Sequence, residues 1–363
     1  MYLTNLKLAN FKSYSEADFD FCPKVNAIVG ENGSGKTNLL DAIHYLSFCK
    51  SYFLAQDSLS IQFDSDFFAI HGDFINPKDE QKTKVSCTFK LPGRKVMKAN
   101  QKEYQLLSDH IGQFPLIMIS PYDNDIINEG SEVRRKFFDM IISQFDKEYL
   151  RKLISYQKIL TQRNSLIKQF IEQRYFDWNL IQIFDMQLSE PCQYIYSKRK
   201  SYIDSIMPCF NEYYTFISNG KEEVGIKYES GLSYSTYEEG VANCELADRK
   251  SGYTNFGIHK DDFIFTINGR SIKKLGSQGQ QKSFAIALKL AQYDYIFTQR
   301  NIKPILLLDD IFDKLDLTRI QHLLELVGKE KIGQVFLTDT NAARVQDILD
   351  SHGIENKIFT ITR

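Results

Sequence analysis

The stretch Gly30-Glu31-Asn32-Gly33-Ser34-Gly35-Lys36-Thr37 fits the pattern G-x-x-x-x-G-K-[ST]. Its three glycines let the backbone curl until several N–H groups face one concavity, which suits phosphate oxygens. Lys36 then reaches the β- and γ-phosphates of a nucleoside triphosphate, and the Thr37 hydroxyl holds Mg²⁺. A second set of reactive groups ends Pro304-Ile305-Leu306-Leu307-Leu308-Asp309-Asp310, an apolar run closed by two acids. An acid at a strand end beside a phosphate loop holds the hydration shell of Mg²⁺, and a second acid positions or activates water. Asp309 is assigned to the metal and Asp310 to the water. Asp310 is shorter than the Glu often found at such a place, so slow hydrolysis is expected. A competing reading makes the two acids caps of the following helix.

These groups work only if the right elements carry them. Before the glycine loop runs Val25-Asn26-Ala27-Ile28-Val29, a short apolar strand. After it, from Asn38, Leu39, Leu40, Ala42, Ile43 and Leu46 fall at helical spacing, which sets the unpaired N–H groups of a helix start against the phosphates. Residues 2–8 and 18–21 read as further strands, with Phe11-Lys12-Ser13-Tyr14 in the turn between them. Residues 60–120 read as β-structure with a turn at Pro92-Gly93 and another at Ala99-Asn100-Gln101, closing on Pro115-Leu116-Ile117-Met118-Ile119-Ser120. From residue 131 the apolar spacing becomes 3–4 over about thirty-five residues. A second helical stretch is predicted over 178–210, broken near Pro191 and Pro208, so that the pair forms an antiparallel helical arm. Residues 211–250 read as strands with loops, Asn268-Gly269 as a turn and 278–297 as a helix. Residues 304–363 alternate strand and helix, with helices around 319–327 and 342–349, the pattern of a mostly parallel sheet.

The 363 residues suffice for one large domain or two to three smaller ones, and 43% hydrophobic content supports a real core. The formal net charge is −1, so any nucleic-acid contact must come from local patches. Cys22, Cys49, Cys87, Cys192, Cys209 and Cys244 form no C-x-x-C pair, which favours reduced thiols. The first residues lack the apolar core of a signal peptide, and no apolar run approaches eighteen residues, so a cytoplasmic protein without a membrane partner is expected.

Two stretches are locally basic. Residues 78–104 hold eight Lys/Arg against three acids, either a DNA-touching hairpin edge or an edge strand kept soluble by lysines. Residues 134–174 hold ten Lys/Arg against four acids, and Lys198-Arg199-Lys200 adds a cluster. That excess is a phosphate footprint in one reading and a solvated helix face in the other.

A third piece of the site precedes the 278–297 helix: Leu275-Gly276-Ser277-Gln278-Gly279-Gln280-Gln281. About 30 residues before an apolar strand ending in two acids, it resembles the ABC-type ATPase signature L-S-G-G-Q. The order phosphate loop, helical insertion, signature, acidic strand is similar to the SMC-like branch, and the short insertion narrows the resemblance to the RecF family of bacterial recombination mediators. The residues carrying it are Asn10-Phe11-Lys12, 30–42, 131–139 with Arg134-Arg135, 257–262, 277–281 and 306–310 with Leu315-Asp316. The chain departs from the family pattern at Lys282 and at Gly257-Ile258-His259-Lys260-Asp261-Asp262, where relatives usually have Arg for each lysine. Phe336-Leu337-Thr338-Asp339-Thr340-Asn341 holds no switch His of the transporter type, and Ser120 to Asp123 stand where a Q-loop is sought.

The resemblance implies an α/β ABC-type ATPase head with a mixed or parallel sheet, an antiparallel β part and a helical arm subdomain. It divides the chain into a head N-terminal part (1–130), the arm (131–210) and a head C-terminal part (211–363). It implies ATP and Mg²⁺ as cofactors, with Gly30, Glu31, Asn32, Gly33, Ser34, Gly35, Lys36, Thr37 and Asn38 around ATP, Thr37 and Asp309 on the metal, and Lys36, Asp310 and Ser277 in catalysis. Ser277, Gly279 and Gln280 would reach the γ-phosphate held by a second copy, giving an ATP-dependent homodimer. It further implies weak DNA-stimulated ATP hydrolysis, binding to double-stranded DNA near single-strand gaps, and action with RecR and RecO in loading RecA. A transporter-type nucleotide-binding subunit and a nucleotide-gated scaffold with little catalysis are the alternatives.

Overall fold

A computed structural model describes residues 1–78, 80–218, 220, 222–310, 331–351 and 353–362. Its strands are β1 (Tyr2–Phe11), β2 (Tyr14–Asp20), β3 (Val25–Val29), β4 (Phe67–Ile75), β5 (Lys82–Lys90), β6 (Arg94–Ala99), β7 (Lys102–Glu103), β8 (Leu116–Ile119), β9 (Val224–Glu229), β10 (Asp262–Ile267), β11 (Arg270–Ser271), β12 (Ile305–Leu308), β13 (Val335–Asp339) and β14 (Asn356–Thr360). Its helices are α1 (Lys36–Phe48), α2 (Asp125–Asn128), α3 (Ser131–Phe145), α4 (Lys147–Glu172), α5 (Trp178–Ser218), α6 (Tyr237–Ser251), α7 (Ile272–Leu275), α8 (Gln278–Arg300) and α9 (Ala342–Ser351). The chain divides into two compact units: Met1–Asp123 with Phe216–Gly220 and Ala285–Arg363, and Asn124–Thr215 with Lys221–Phe284.

The first unit holds two sheets. One is parallel, in the order β14-β3-β13-β12-β8. Four of its strands, β3, β8, β12 and β13, are buried at every position. Strands covered on both faces need continuous apolar sequence, which is why Ile305-Leu306-Leu307-Leu308 and Leu116-Ile117-Met118-Ile119 show no alternation. The other sheet is antiparallel, in the order β2-β1-β4-β5-β6-β7. There burial alternates: in β1, Leu3, Leu6, Leu8 and Phe11 are inside, and in β5, Val85, Cys87 and Phe89 are inside. Phe11 packs edge-on against Tyr45 of α1 and Phe68 of β4, at 6.0 and 5.3 Å between ring centroids, tying this sheet to the helix after the glycine loop.

The basic stretch 78–104 is not one edge strand. β5 pairs on both sides, with β4 and β6, and the turns at Pro92-Gly93 and Asn100-Gln101 lie where expected. Asn100 and Gln101 have φ of 48° and 68°, the left-handed pair that a two-residue hairpin turn needs.

The second unit packs helices around a three-stranded sheet, β11-β10-β9. Three expectations change here. The long 3–4 pattern from residue 131 is two helices, because Asp146 leaves helical geometry and its side chain accepts from Tyr149 N at 2.8 Å, capping α4. The second arm helix does not break at its prolines: α5 runs through both Pro191 and Pro208. An interior proline costs about 3 kcal/mol. Leu188, Cys192, Ile195, Tyr202, Ile206, Phe210 and Tyr214 form a buried stripe along α5 that offsets this, each large apolar side chain contributing about 1.5–3 kcal/mol. Finally, 211–250 contains the helix α6, started by a capping box in which Thr236 and Glu239 bond each other's backbone and ended by Gly252 at φ 77°. The T-x-x-E spacing was the available signal. The expected helix around 319–327 and the pair Leu315-Asp316 lie outside the described residues.

Candidate nucleotide site

In the first unit the glycine loop leaves the C-terminal end of β3 and enters α1. Gly30 has no room for a side chain: a Cβ there would lie 2.4 Å from the Ile361 carbonyl oxygen. Gly35 has φ 110°, and a Cβ would meet Ser13 Oγ at 2.8 Å and Tyr14 Oη at 3.2 Å. The turn between β1 and β2 braces the loop from outside. The Tyr14 hydroxyl donates to Gly35 O at 3.1 Å, and Asn38 Nδ2 donates to Ser13 Oγ at 2.9 Å. Burial pushes the Tyr14 phenol up to about 12, so it stays a neutral donor. Lys12, in the same turn, pairs with the fully buried Asp41 of α1 at 2.5 Å. Phe11 and Lys12 therefore hold α1, the helix after the loop, while Ser13 and Tyr14 brace the loop.

Several groups of the loop are turned toward a ligand. Gly35 occupies the N-cap of α1 and no side chain among the described residues caps it, so the first helical N–H groups stay available. Ser34 Oγ is buried without a hydrogen-bond partner among the described residues, a cost that a phosphate oxygen would remove. Lys36 is 4% exposed and forms no ion pair among the described residues. Its ammonium donates to Gly30 O at 2.8 Å and Glu31 O at 2.9 Å, using two of three protons. Glu31, Asn32 and Gly33 form the exposed outer rim.

The acids arrive from the strands alongside. β13 lies between β3 and β12, all parallel, so the ends of the three strands line up. Thr37 Oγ1 donates to Asp309 Oδ1 at 3.0 Å, and Thr338 Oγ1 donates to the same oxygen at 2.9 Å. Burial pushes the Asp309 carboxyl up, against the pull of these two hydroxyls. The backbone N of Asp310 donates to Thr338 Oγ1 at 2.8 Å, and Asp310 sits at φ 45°. At the same strand ends, Gly30 N donates to Asp339 O at 3.2 Å. Among the described residues no group of three or more His, Cys, Asp or Glu could hold a metal. A hydroxyl and one carboxylate are instead the partial set that Mg²⁺ completes with phosphate oxygens and water. The residues present thus fit both a triphosphate and its Mg²⁺.

The structure therefore brings together Gly30–Thr37 and Asp309, with the Asp310 backbone beside them. Thr338 was missed by the sequence reading, which searched residues 336–341 for a histidine; only the strand order makes a threonine there informative. Ser120–Asp123, where a Q-loop was sought, ends β8 and is held by a buried cation: Lys289 Nζ lies 3.2 Å from Asp123 and donates to Met118 O at 2.7 Å.

Ser277, Gly279 and Gln280 belong to the second unit. Ser277 is exposed and starts α8. Gln280 N donates to Ser277 Oγ at 3.2 Å and Ser277 N donates to Gln280 Oε1 at 2.7 Å, a capping box. Gln280 Nε2 also donates to Glu222 at 2.6 Å.

The basic footprint on the helices is smaller than the charge count implied. Arg134, Arg163 and Arg199 are buried. Arg134 forks onto Asp262 at 2.7 and 2.9 Å, Arg163 reaches Asp185 and Asp248 at 2.7 Å each, and Arg199 binds Asp139 and Asp261. Within residues 257–262, singled out by their pattern, Ile258, His259, Asp261 and Asp262 join this network, while Lys260 is exposed: Arg199 also donates to Ile258 O, and His259 accepts or donates at 2.7 Å with Tyr156. Lys136, Lys152, Lys168 and Lys198 have partners in Glu132, Glu190, Tyr253 and Asp146. Arg135 likewise donates to Asp261 O at 2.6 Å.

Comparison with known proteins agrees with this geometry. The family model RecF/RecN/SMC N terminal domain matches residues 2–358. A DNA replication and repair protein RecF from Flavobacterium johnsoniae is 45% identical over 361 residues, 99% of this chain and 100% of that protein. Another from Parabacteroides distasonis is 44% identical over 363 residues, 100% and 98% of the two chains. A solved structure of the recombination mediator protein RecF-ATPrS in the RecFOR pathway superimposes with a TM-score of 0.89 at 31% identity, covering 99% of this chain and 96% of that one. RecF-ATP of the same pathway gives 0.88 at 32%, covering 94% and 92%. An Smc head bound to the C-winged helix domain of ScpA shares the fold, with a TM-score of 0.59 at 17% identity, covering 100% and 95%. The chain belongs to the RecF/RecN/SMC N-terminal domain family, a family of ABC-type ATPase heads, and within it to the RecF proteins of DNA replication and repair.

Proposed function

We propose that this chain is an ATP-dependent DNA-binding protein of recombinational repair and replication restart. ATP closes two copies on double-stranded DNA near single-strand gaps, and slow hydrolysis reopens them. The observation that carries the reading is the 3.0 Å contact between Thr37 and Asp309, which joins the phosphate loop to an acidic strand end 272 residues away. Lys36 and the open start of α1 bind and orient the phosphates, and Ser34 adds a hydroxyl donor. Thr37 and Asp309 would hold Mg²⁺, which when bound neutralises charge developing on the phosphates. Asp310 orients the attacking water and takes its proton. Ser277, Gly279 and Gln280 of a second copy complete the site across the γ-phosphate. In the family setting RecR and RecO are the partners and RecA loading the outcome, in the cytoplasm. Among the described residues no helix is long and apolar enough to cross a membrane, and no histidine stands in residues 336–341, so no observation favours the transporter reading.

Sedimentation with and without ATP and a gapped duplex tests nucleotide, dimer and DNA together. The wild-type chain is expected to dimerise only with ATP and to bind the duplex more weakly as salt rises, since phosphate contacts release counterions. Ser277→Arg should abolish ATP-dependent dimers and spare ATP binding by the monomer. Normal dimers in that variant would rule out the in-trans site.

A further inference from the structure

Thr338 is fully buried at the end of β13, the strand between those carrying the phosphate loop and the acids. Its hydroxyl has one proton and meets two partners. The Asp310 N–H, 2.8 Å away, can only donate, so the hydroxyl accepts there. Its own proton therefore goes to Asp309 Oδ1 at 2.9 Å. The direction of both bonds is fixed by chemistry alone.

Each bond answers a local need. Asp309 is buried and its carboxylate needs donors to stay ionised and to keep one orientation. Thr37 of α1 and Thr338 of β13 both donate to the same oxygen. Asp310 sits at φ 45°, a region that costs a non-glycine residue roughly 1–2 kcal/mol and persists only when its surroundings fix it. The bond from its N–H to Thr338 is such a constraint. One residue on, Asp339 O accepts from Gly30 N, so the same strand end also pins the start of the loop.

We propose that Thr338 is a positioning residue for ATP hydrolysis, its hydroxyl setting the orientation of the Asp309 carboxylate and the backbone turn from which Asp310 projects. The inference rests on the ATPase reading above. It assigns Thr338 no contact with nucleotide.

Thr338→Val keeps the shape and removes both bonds; Thr338→Ser keeps both; Thr338→Cys keeps a poor donor and acceptor. Metal-free ATP affinity is expected within about threefold of wild type in all three, because the loop is untouched. Mn²⁺ affinity in the presence of ATP, read by electron paramagnetic resonance, and single-turnover hydrolysis should each fall roughly 10–100-fold in Thr338→Val, as for other groups that orient a metal ligand. Thr338→Cys should fall between, and Thr338→Ser should lie within about threefold of wild type. If Thr338→Val does not fold, the order wild type, Ser, Cys still decides. Wild-type Mn²⁺ affinity and turnover in the Val or Cys variant would overturn the proposal, as would equal losses in Ser and Cys. A wild-type chain that binds no ATP would instead sink the function proposed above, a separate outcome.

Discussion

Two helix starts of this chain stand where nucleotide chemistry is proposed, and they are finished in opposite ways. α1 begins at Gly35, which offers no side chain, and its first N–H groups stay open beside the buried Ser34 hydroxyl and Lys36. α8 begins after Ser277, which closes its own end with Gln280 in a capping box. Both are positive ends of a helix dipole. The first is held open by sterics and by neighbours from the β1–β2 turn and from Ile361 just past β14, so a phosphate is its natural partner. The second is already satisfied locally, so it stands as a stable exposed turn within a single copy. A glycine-rich helix start is thus not one kind of site: the residue at the cap decides whether the chain or a ligand supplies the acceptor.

The largest expected effect comes from closing the open end. Gly35→Ala puts a Cβ into Ser13 and Tyr14 at an unfavourable φ, and should cost about 1–3 kcal/mol of stability together with at least a tenfold loss of ATP affinity. Chemical denaturation and nucleotide titration read the two effects; wild-type values for both would mean the loop is not held as described. Next is Asp309→Asn. Burial raises the Asp309 pKa in the fold, so its ionised form at neutral pH destabilises the native state, and stability from this group returns only as pH falls through the raised pKa. The neutral variant should therefore melt higher near pH 7, with the difference shrinking toward acid pH, while metal-dependent hydrolysis is lost. A lower melting temperature would show that the carboxylate is a net stabiliser. The smallest effect is at the closed end: Ser277→Ala removes a cap and should cost about 1 kcal/mol with no loss of monomer ATP affinity. A fall in monomer affinity would break the contrast between the two helix starts.

The arginines show where sequence reading stops. A count of ten Lys/Arg against four acids over 134–174 describes charge but not its partners. Arg163 is closed by Asp185 and Asp248, and Arg199 by Asp139 and Asp261, acids up to 85 residues away. Burying an unpaired charge is costly, so each of these cations is closed by its own pair of acids inside the fold rather than left on the surface. The prolines of α5 mislead for a related reason. Local propensity argues for a break, and a long buried stripe overrides it.

By itself the sequence determined the residue types at the site and the local elements that carry them. The glycine loop between strand and helix, the apolar run ending in Asp309-Asp310 and the turn before α8 are all short-range patterns, set by backbone sterics and side-chain period. Tertiary structure alone decided which of these meet. Strand order β3-β13-β12 brings Thr37 to Asp309 and inserts Thr338 between them, because parallel strands align their C-terminal ends whatever their separation along the chain. No spacing in the sequence records that neighbourhood.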